Sequence, residues 1–349
     1  MATEKGRDLK PRQRGNRPIL ENEELRDVLI AEAGGWRVEP PISSRLWQKS
    51  ALGKTIKGGA VLLSPAEALF CHWHRNLALP KNFMAEMLAS NPRILHEAVA
   101  IEAIRSGGEI LSLCVEDSPH ANLRCANTWA MRWERTSHPS KDPPVSQVRW
   151  FTSSDDLDLP DLQSWVMEVE KIGQEAEVVV VDSEYDSTIY RLSSPDPRGK
   201  LKPPSEIKMP DLGEEVNSFI QYVDWPLPNV GVPQAGGISL DNTEKKWLEN
   251  YLQGAEHTGD AYLLNELLER GLLARPGFKY GCKWRVYDDD ISKVHAPWLI
   301  SIESELPRSW EEASLRARLS AGVNKKWVCI QQSPDGASFL SIERVLLGR

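Results

Sequence analysis

The sequence lacks any apolar run near the roughly 20 residues that a transmembrane helix requires. Its first residues are basic, but no apolar segment follows them, so no secretory signal is expected. Cysteine is scarce: five residues, an odd number at scattered positions, do not form the framework of a disulfide-stabilised fold. These deficits predict a cytoplasmic protein without membrane association.

Metal-binding patterns are also missing. The CHWH cluster at residues 71–74 has no partner pair at zinc spacing, so helix packing explains it better than a metal. The run Asp288–Asp290 carries three carboxylates, but three consecutive side chains cannot all face one ion, which favours a solvated loop. We therefore expect neither a metal nor another cofactor.

Negatively charged residues outnumber positively charged ones over the whole sequence, 50 to 42. The formal net charge is −8, which argues against a protein that coats nucleic acid without specificity. The segment Arg275–Arg349 differs, because it contains twelve Lys and Arg against nine Asp and Glu. A basic region on an acidic chain suits a local phosphate-binding site, and chance variation is the alternative.

Length and composition fit two ordinary domains, because 349 residues with 41% hydrophobic and 26% charged residues are typical of globular proteins. Residues 1–18 are basic and almost free of apolar residues, which predicts a disordered tail. Five prolines between residues 193 and 210 predict an extended linker. The resulting boundaries are a first domain at 19–194, a linker at 195–210 and a second domain at 211–349.

The two domains look like diverged copies of one unit. HEAVAIEAIRSGGEIL matches AYLLNELLERGLLAR, TWAMRW matches CKWRVY, and EVVVVDSEYDSTIYRL matches KWVCIQQSPDGASFLSI. Helical and strand-like segments are mixed in both, which predicts an α+β fold built from two tandem repeats. The alternative is a coincidental likeness between two α+β segments.

Capping signals place two helices of the second domain. Thr258 is expected to cap a helix that ends at Gly271. Ser309 and Glu312 form an S-x-x-E capping box that opens another helix.

The stretch from Leu273 to Ile302 predicts a β-hairpin. Phe278–Tyr287 is aromatic, β-branched and basic, as expected of one half-buried strand, and His295–Ile302 is the second arm. In this arrangement Tyr287 ends one strand and His295 opens the next, so both side chains can face the same space.

A lysine stands where a later helix passes into the strand WVCIQQ, and it is either Lys325 or Lys326. Together with Tyr287 and His295, this lysine makes an acid/base set that needs no metal.

The segments GFKYGCKWRVY, HAPWLI and AGVNKKWVCI resemble the catalytic half of archaeal tRNA-splicing endonucleases. The likeness runs from about residue 260 to the C-terminus and continues as a weaker pattern in the first half. It implies that each repeat has a helical and β N-terminal subdomain and a small restriction-endonuclease-like α/β nuclease subdomain, the second of these at about 274–349. It also implies a metal-independent enzyme that cuts precursor tRNA at bulge–helix–bulge junctions and leaves 2′,3′-cyclic phosphate and 5′-hydroxyl ends.

The resemblance assigns Tyr287 as general base, His295 as general acid and Lys325 as the group that offsets phosphorane charge, with Lys326 as second choice. Histidine suits proton donation near neutrality, because its ordinary pKa is about 6.5. The ordinary pKa of tyrosine is about 10, and nearby cations such as Arg285 can lower it.

The resemblance also suggests contacts with the RNA. Arg318 lies two helical turns before Lys325 and matches an arginine that packs against a flipped bulge base, as guanidinium groups do on unpaired bases. Lys326 and Arg344 are further candidates, although Arg344 is not matched cleanly. The family usually has an arginine just before the catalytic lysine, where this chain has Asn324.

The first repeat lacks the reactive groups. Trp133 corresponds to Tyr287, the place of His295 falls near Val145, and Lys325 corresponds to about Gln174. One chain is therefore expected to supply one active site.

The resemblance implies a homodimer, because a bulge–helix–bulge contains two cut sites. Subunits of the family join partly through an acidic loop of the non-catalytic repeat, which docks into a basic groove of the facing catalytic half. Here that loop contains Asp182, Glu184 and Asp186. Acidic turns between strands are common, so an ordinary solvated turn is the alternative.

Two other functions stay open at this point. One is a metal-dependent nuclease that uses the aspartates next to Tyr287. The other is a non-catalytic structural or RNA-binding subunit.

Overall fold

The computed structural model describes residues 25–113, 120–209, 215–216, 218–222, 224–333 and 336–347. The predicted tail at 1–18 lies outside these ranges, as does Pro210 of the predicted linker. Helices and strands are mixed along the chain, so the predicted α+β class is confirmed. Within the described residues, no helix is both long and apolar enough to span a membrane.

The helices of the described residues are α1 Ile42–Ser50, α2 Pro65–Arg75, α3 Phe83–Ser90, α4 Ile94–Arg105, α5 Leu159–Lys171, α6 Asn242–Gln253, α7 Asp260–Glu269 and α8 Trp310–Gly322. The strands are β1 Ile30–Glu32, β2 Gly35–Val38, β3 Lys54–Thr55, β4 Val61–Leu63, β5 Ile110–Leu113, β6 Ala130–Trp133, β7 Ser146–Thr152, β8 Glu175–Val181, β9 Ser187–Ser193, β10 Glu215–Val216, β11 Phe219–Gln221, β12 Val232–Gln234, β13 Gly237–Ser239, β14 Leu273–Pro276, β15 Trp284–Tyr287, β16 Trp298–Ile302, β17 Lys326–Ser333 and β18 Gly336–Val345.

The chain forms two compact units. The first contains the described residues up to 155, residues 177–189 and the described residues after 345. The second contains residues 156–176 and the described residues of 190–345. Helix α5 belongs to the first predicted repeat by sequence, but it is part of the second unit and packs against β18.

The order of elements recurs along the chain. An antiparallel four-stranded sheet, β1-β2-β4-β3, comes first, and β10-β11-β13-β12 has the same order. The series α4-β5-β6-β7-α5-β8-β9 is then repeated as α7-β14-β15-β16-α8-β17-β18. Strands β5 to β9 are hydrogen-bonded neighbours in sequence order, and so are β14 to β18.

A buried glutamate fixes the start of α2. Ser64 caps this helix, and the carboxylate of Glu67 accepts hydrogen bonds from the backbone N–H groups of Ser64 and Gly53, both at 2.9 Å. Gly53 has a φ of 76°, which disfavours other residues. Burial raises the pKa of Glu67, while these hydrogen bonds and the charge of Arg105 oppose that effect.

The same arrangement begins α6. Asp241 caps the helix, and Glu244 accepts hydrogen bonds from the backbone N–H groups of Asp241 at 3.0 Å and Gly231 at 2.9 Å. Gly231 has a φ of 74°, and Arg275 contacts the same carboxylate at 3.3 Å. This shared pattern of hydrogen bonds is stronger support for a repeated unit than the order of the elements alone.

The apolar core of the second unit lies between two helices and one face of its strands. Trp247 of α6 and Leu267 of α7 pack in one cluster with Val286, Ile300 and Val328 from β15, β16 and β17. These residues alternate along their strands with residues of the opposite face, on which Tyr287 lies in β15.

The predicted first arm of the hairpin, Phe278–Tyr287, is wrong as a single strand. Residues Phe278–Tyr280 form a short 3₁₀ turn that ends at Gly281 with a φ of 66°, and only Trp284–Tyr287 is extended. The second arm begins at Trp298 and not at His295. Pro297 precedes it and lacks the N–H that a strand ladder needs.

One predicted cap is wrong and another is only half formed. Helix α7 begins after Gly259, whose φ of 55° and ψ of −133° suit glycine, so Thr258 is not the capping residue. Ser309 does cap α8, accepting a hydrogen bond from the Glu312 N–H at 3.4 Å. The carboxylate of Glu312, however, accepts from the Arg308 N–H instead of Ser309.

A buried ionic network stabilises the first unit. The guanidinium of Arg132 on β6 donates to Glu177 at 2.6 and 3.0 Å and to Glu109 at 2.8 Å, and Ser146 also donates to Glu177. Burial alone would lower the pKa of Arg132, but its hydrogen bonds and charge contacts with Glu177 and Glu109 raise it.

We predict that Arg132→Ala lowers the free energy of unfolding by about 3–5 kcal/mol, because two buried carboxylates lose their cation. Denaturant unfolding of the full chain measures this. Arg37→Ala removes a partly exposed ion pair with Glu39 in the same unit and is expected to cost less than about 1 kcal/mol. Equal losses in the two variants would contradict the prediction.

Candidate active site

Three strand ends meet at one edge of the second unit. Strand β15 runs antiparallel to β16, with Val286 opposite Trp298, and β16 runs parallel to β17, with Trp298 opposite Lys326. The end of β15 and the beginnings of β16 and β17 therefore lie side by side. Residues just after the first strand and just before the other two come together there.

Tyr287 is the last residue of β15 and is 5% exposed. It packs in a small cluster with Leu273 and Ala296, and Leu201 and Val294 cover this cluster. We call these five residues the tyrosine cluster. The guanidinium carbon of Arg285, from the same strand, lies 5.9 Å from the centre of the tyrosine ring.

His295 is exposed in the loop before β16, one residue from Ala296 of the tyrosine cluster. Hydrogen bonds within the loop fix its path. Asp289 accepts from the Asp290 N–H at 2.7 Å, and Asp290 accepts from the backbone and hydroxyl of Ser292 at 2.8 and 2.7 Å. The N–H of Lys293 donates to the Asp290 carbonyl at 2.9 Å.

The aspartates of this loop have local partners. The hydrogen bond from the Asp290 N–H, with Lys293 and Lys200 nearby, lowers the pKa of Asp289. The hydrogen bonds from Ser292 lower the pKa of Asp290. Among the described residues, no group of three or more His, Cys, Asp or Glu is arranged to hold a metal ion.

Lys325 follows α8 and points towards the loop. Its N–H donates to the carbonyl of Ser320 at 2.9 Å, and its ammonium donates to the carbonyl of Ala296. Partial burial lowers the pKa of Lys325, and the positive charge of Arg285 lowers it further. Asn324 has a φ of 54°, a left-handed conformation that asparagine tolerates better than arginine does, which explains the residue found there.

Lys326 has a different environment. It opens β17 on the face shared with Val328 and Ile330, and its ammonium pairs with Glu343 at 3.0 Å. The sequence did not decide which of the two lysines is the candidate catalytic group. The two have separate partners, and Lys325 is the one that contacts the tyrosine cluster, at Ala296.

The two candidate base-binding arginines are both exposed. Arg318 lies on α8, and Arg344 lies near the end of β18. By strand alternation Arg344 shares a face of β18 with Leu340 and Ile342, opposite to Glu343. Their role in binding RNA stays a prediction.

The corresponding positions of the first repeat carry no reactive group. Trp133 ends β6, is 2% exposed, and donates its indole N–H to the carbonyl of Asp142 at 2.8 Å. Before β8, the N–H of Gln174 donates to the Val169 carbonyl at 3.1 Å, and Gly173 has a φ of 75°. This is the same turn as at Asn324 and Lys325, with a neutral side chain in place of the ammonium.

The acidic loop between β8 and β9 is held by one of its own carboxylates. Asp182 accepts hydrogen bonds from the N–H groups of Glu184 and Asp186, both at 2.9 Å. The ring of Tyr185 lies 4.8 Å from that of His96. Asp182 therefore shapes the loop, and Glu184 is exposed at its tip.

Sequence reasoning missed two members of the tyrosine cluster. Ala296 supplies the carbonyl that Lys325 reaches, and Leu201 comes from the predicted linker. Neither residue type signals chemistry, and Leu201 is far from Tyr287 along the chain, so no local pattern connects them.

Comparison with known proteins finds a family match in the part of the chain that contains this site. Residues 261–337 match the family described as tRNA intron endonuclease, catalytic C-terminal domain. A tRNA-splicing endonuclease of Methanosarcina acetivorans is 23% identical over 255 residues, 61% of this chain and 71% of that protein.

Two further relatives are also tRNA-splicing endonucleases. That of Thermoplasma volcanium is 30% identical over 151 residues, 42% of this chain and 48% of that protein. That of Picrophilus torridus is 23% identical over 168 residues, 48% of this chain and 55% of that protein. The chain thus spans about half the length of these two relatives.

The fold and the matched catalytic domain define an endoribonuclease. Residues 261–337 match the tRNA intron endonuclease catalytic domain, and the chain is similar to tRNA-splicing endonucleases.

We predict that Arg285→Met raises the pKa of Lys325 towards its ordinary value, because removing a neighbouring positive charge favours the ammonium form. NMR titration of methyl-labelled lysines measures this. Arg316→Met removes an arginine of α8 and serves as the control, for which no change at Lys325 is expected. A Lys325 titration that is identical in the Arg285 variant and the parent protein would disprove the coupling.

Proposed function

We propose that this chain cuts precursor tRNA at bulge–helix–bulge exon–intron junctions without a metal, leaving 2′,3′-cyclic phosphate and 5′-hydroxyl ends. One observation carries the proposal: Ala296 packs with Tyr287, accepts a hydrogen bond from Lys325 and adjoins His295. Two of the three groups that the chemistry needs thus contact Ala296, and the third precedes it directly in sequence.

The proposed reaction requires two proton transfers and one positive charge near the phosphorus. Tyr287 takes the proton of the ribose 2′-hydroxyl as that oxygen attacks the phosphorus. His295 gives a proton to the departing 5′-oxygen, for which an exposed imidazole is suited. Lys325 offsets the extra negative charge of the phosphorane.

Substrate contacts away from the cut follow from the exposed cations. Arg318 and Arg344 are available to stack on unpaired bulge bases, and Lys326 is available for a phosphate contact at the edge of β17. These roles rest on exposure and on the family resemblance.

The repeated element order and the matching Glu67 and Glu244 sites support a duplicated chain with one active site. Two cut sites then require two chains, and a two-fold homodimer presents the same surface from each subunit. The loop with Asp182, Glu184 and Asp186 is the proposed contact with a basic groove of the partner.

We expect His295→Ala and Lys325→Ala each to lower single-turnover cleavage by at least about 10²-fold while RNA binding is retained, because each removes one acid/base or electrostatic group. Gel-shift binding and cleavage of a bulge–helix–bulge RNA separate the two effects. Lys246→Ala, on α6, is the lysine control. Near-normal cleavage by both site variants would discard this site, and a requirement for added divalent metal after EDTA treatment would discard the metal-free mechanism.

We expect Glu184→Lys to weaken the dimer and cleavage together, because it reverses an exposed charge of the loop and leaves the shaping carboxylate of Asp182 in place. Light scattering and cleavage at matched protein concentrations measure both, and high salt should reduce the contact in the parent protein. Glu86→Lys reverses an exposed charge on α3 as the control. A fully active Glu184→Lys dimer argues against docking through this loop.

A further inference from the structure

The predicted linker is a docked part of the second unit. Three consecutive linker residues donate backbone hydrogen bonds to other parts of this unit. The N–H of Gly199 donates to the carbonyl of Arg270 at 2.9 Å, and that of Lys200 donates to the carbonyl of Asp288 at 2.8 Å. The N–H of Leu201 donates to the carbonyl of Gly271 at 3.1 Å. The segment is therefore fixed to both chain segments at the open end of the β14–β15 hairpin. Gly271 lies just before β14, and Asp288 lies just after Tyr287.

Two glycines permit this close approach. A Cβ atom on Gly199 would stand 2.1 Å from the carbonyl oxygen of Gly271, and one on Gly271 would stand 2.6 Å from that of Leu201. Since real Cβ contacts are never this short, larger residues at either position would displace the segment. Gly271 also has a φ of 72°, which favours glycine independently.

The side chains of the segment reach the catalytic groups. Leu201 packs against the cluster of Leu273, Tyr287 and Ala296. Lys200 lies 3.6 Å from Asp289, in the loop that leads from Tyr287 to His295. The backbone of Lys200 holds Asp288, the residue directly after Tyr287.

We propose that residues 199–201 are a positioning element of the active site, in which Leu201 holds the ring of Tyr287 in its reactive orientation. The segment does not touch the substrate in this role. It packs against Leu273, Tyr287 and Ala296, so that the tyrosine ring and the Ala296 carbonyl keep their relative position. This inference rests on the proposed role of Tyr287 as the base.

The test is a double-mutant cycle with Tyr287→Phe, measured by single-turnover cleavage of a bulge–helix–bulge RNA. Leu201→Ala is expected to lower the cleavage rate roughly 10- to 100-fold, the scale of a misplaced reacting group, without changing RNA affinity. In the Tyr287→Phe background the same change should cost little, since the base it orients is absent. Leu201→Met should restore most of the rate by refilling the space.

Ile207→Ala is the matched control, because Ile207 lies in the same linker but packs against the core cluster and not against Tyr287. It should lower thermal stability and leave the cleavage rate unchanged below the melting temperature. If Leu201→Ala does not fold, the smaller change Leu201→Val is used, and the Tyr287 ring resonance, assigned by its loss in Tyr287→Phe, should shift.

The outcomes separate the two proposals. Normal cleavage by Tyr287→Phe would overturn the assigned base. A slow Tyr287→Phe combined with normal cleavage by Leu201→Ala, or with equal losses from Leu201→Ala in both backgrounds, would overturn only the positioning role. An unchanged Tyr287 resonance in Leu201→Val would also count against it.

Discussion

The parallel pairing of β16 with β17 is the constraint on which the candidate site depends. In this register Trp298 lies opposite Lys326, so the residues that precede both strands share one edge. Antiparallel pairing of β15 brings Tyr287 to the same edge. A parallel pair needs a long crossover, which α8 provides, and the crossover ends with the turn that delivers Lys325. Without this pairing, a hairpin alone would present a tyrosine and a histidine but no ammonium group.

That turn also accounts for a departure from the family pattern. Asn324 occupies a left-handed conformation, and Gly173 occupies the same position of the same turn before β8. A backbone that must reverse within one residue selects for asparagine or glycine, whatever the side chain contributes to binding. Asn324 is therefore explained by the backbone conformation that precedes Lys325, and an arginine there would adopt it at a higher conformational cost.

Sequence patterns predicted the α+β class and the residue types of the candidate site, because these depend on short-range periodicity and local motifs. They did not predict that Thr258 lies outside α7 or that Phe278 begins a 3₁₀ turn. Both features depend on the backbone freedom of a neighbouring glycine. Nor did they separate Lys325, which lies in the turn after α8, from Lys326, which is the first residue of β17. Leu201 was beyond local reasoning altogether, because its contact with the tyrosine cluster arises from tertiary packing across a long separation.

The first half has different side chains at the positions that correspond to the candidate catalytic groups. Trp133 fills the place of Tyr287 as a buried side chain whose polar atom is bound to the Asp142 carbonyl. Its neighbour Arg132 stands where the second half has the buried apolar Val286, and it needs Glu177 and Glu109 as partners. A buried ion network of this kind tolerates little displacement, because removing any member leaves an uncompensated charge. In the first half these positions are thus buried, whereas in the second half His295 is exposed and Lys325 is only partly buried.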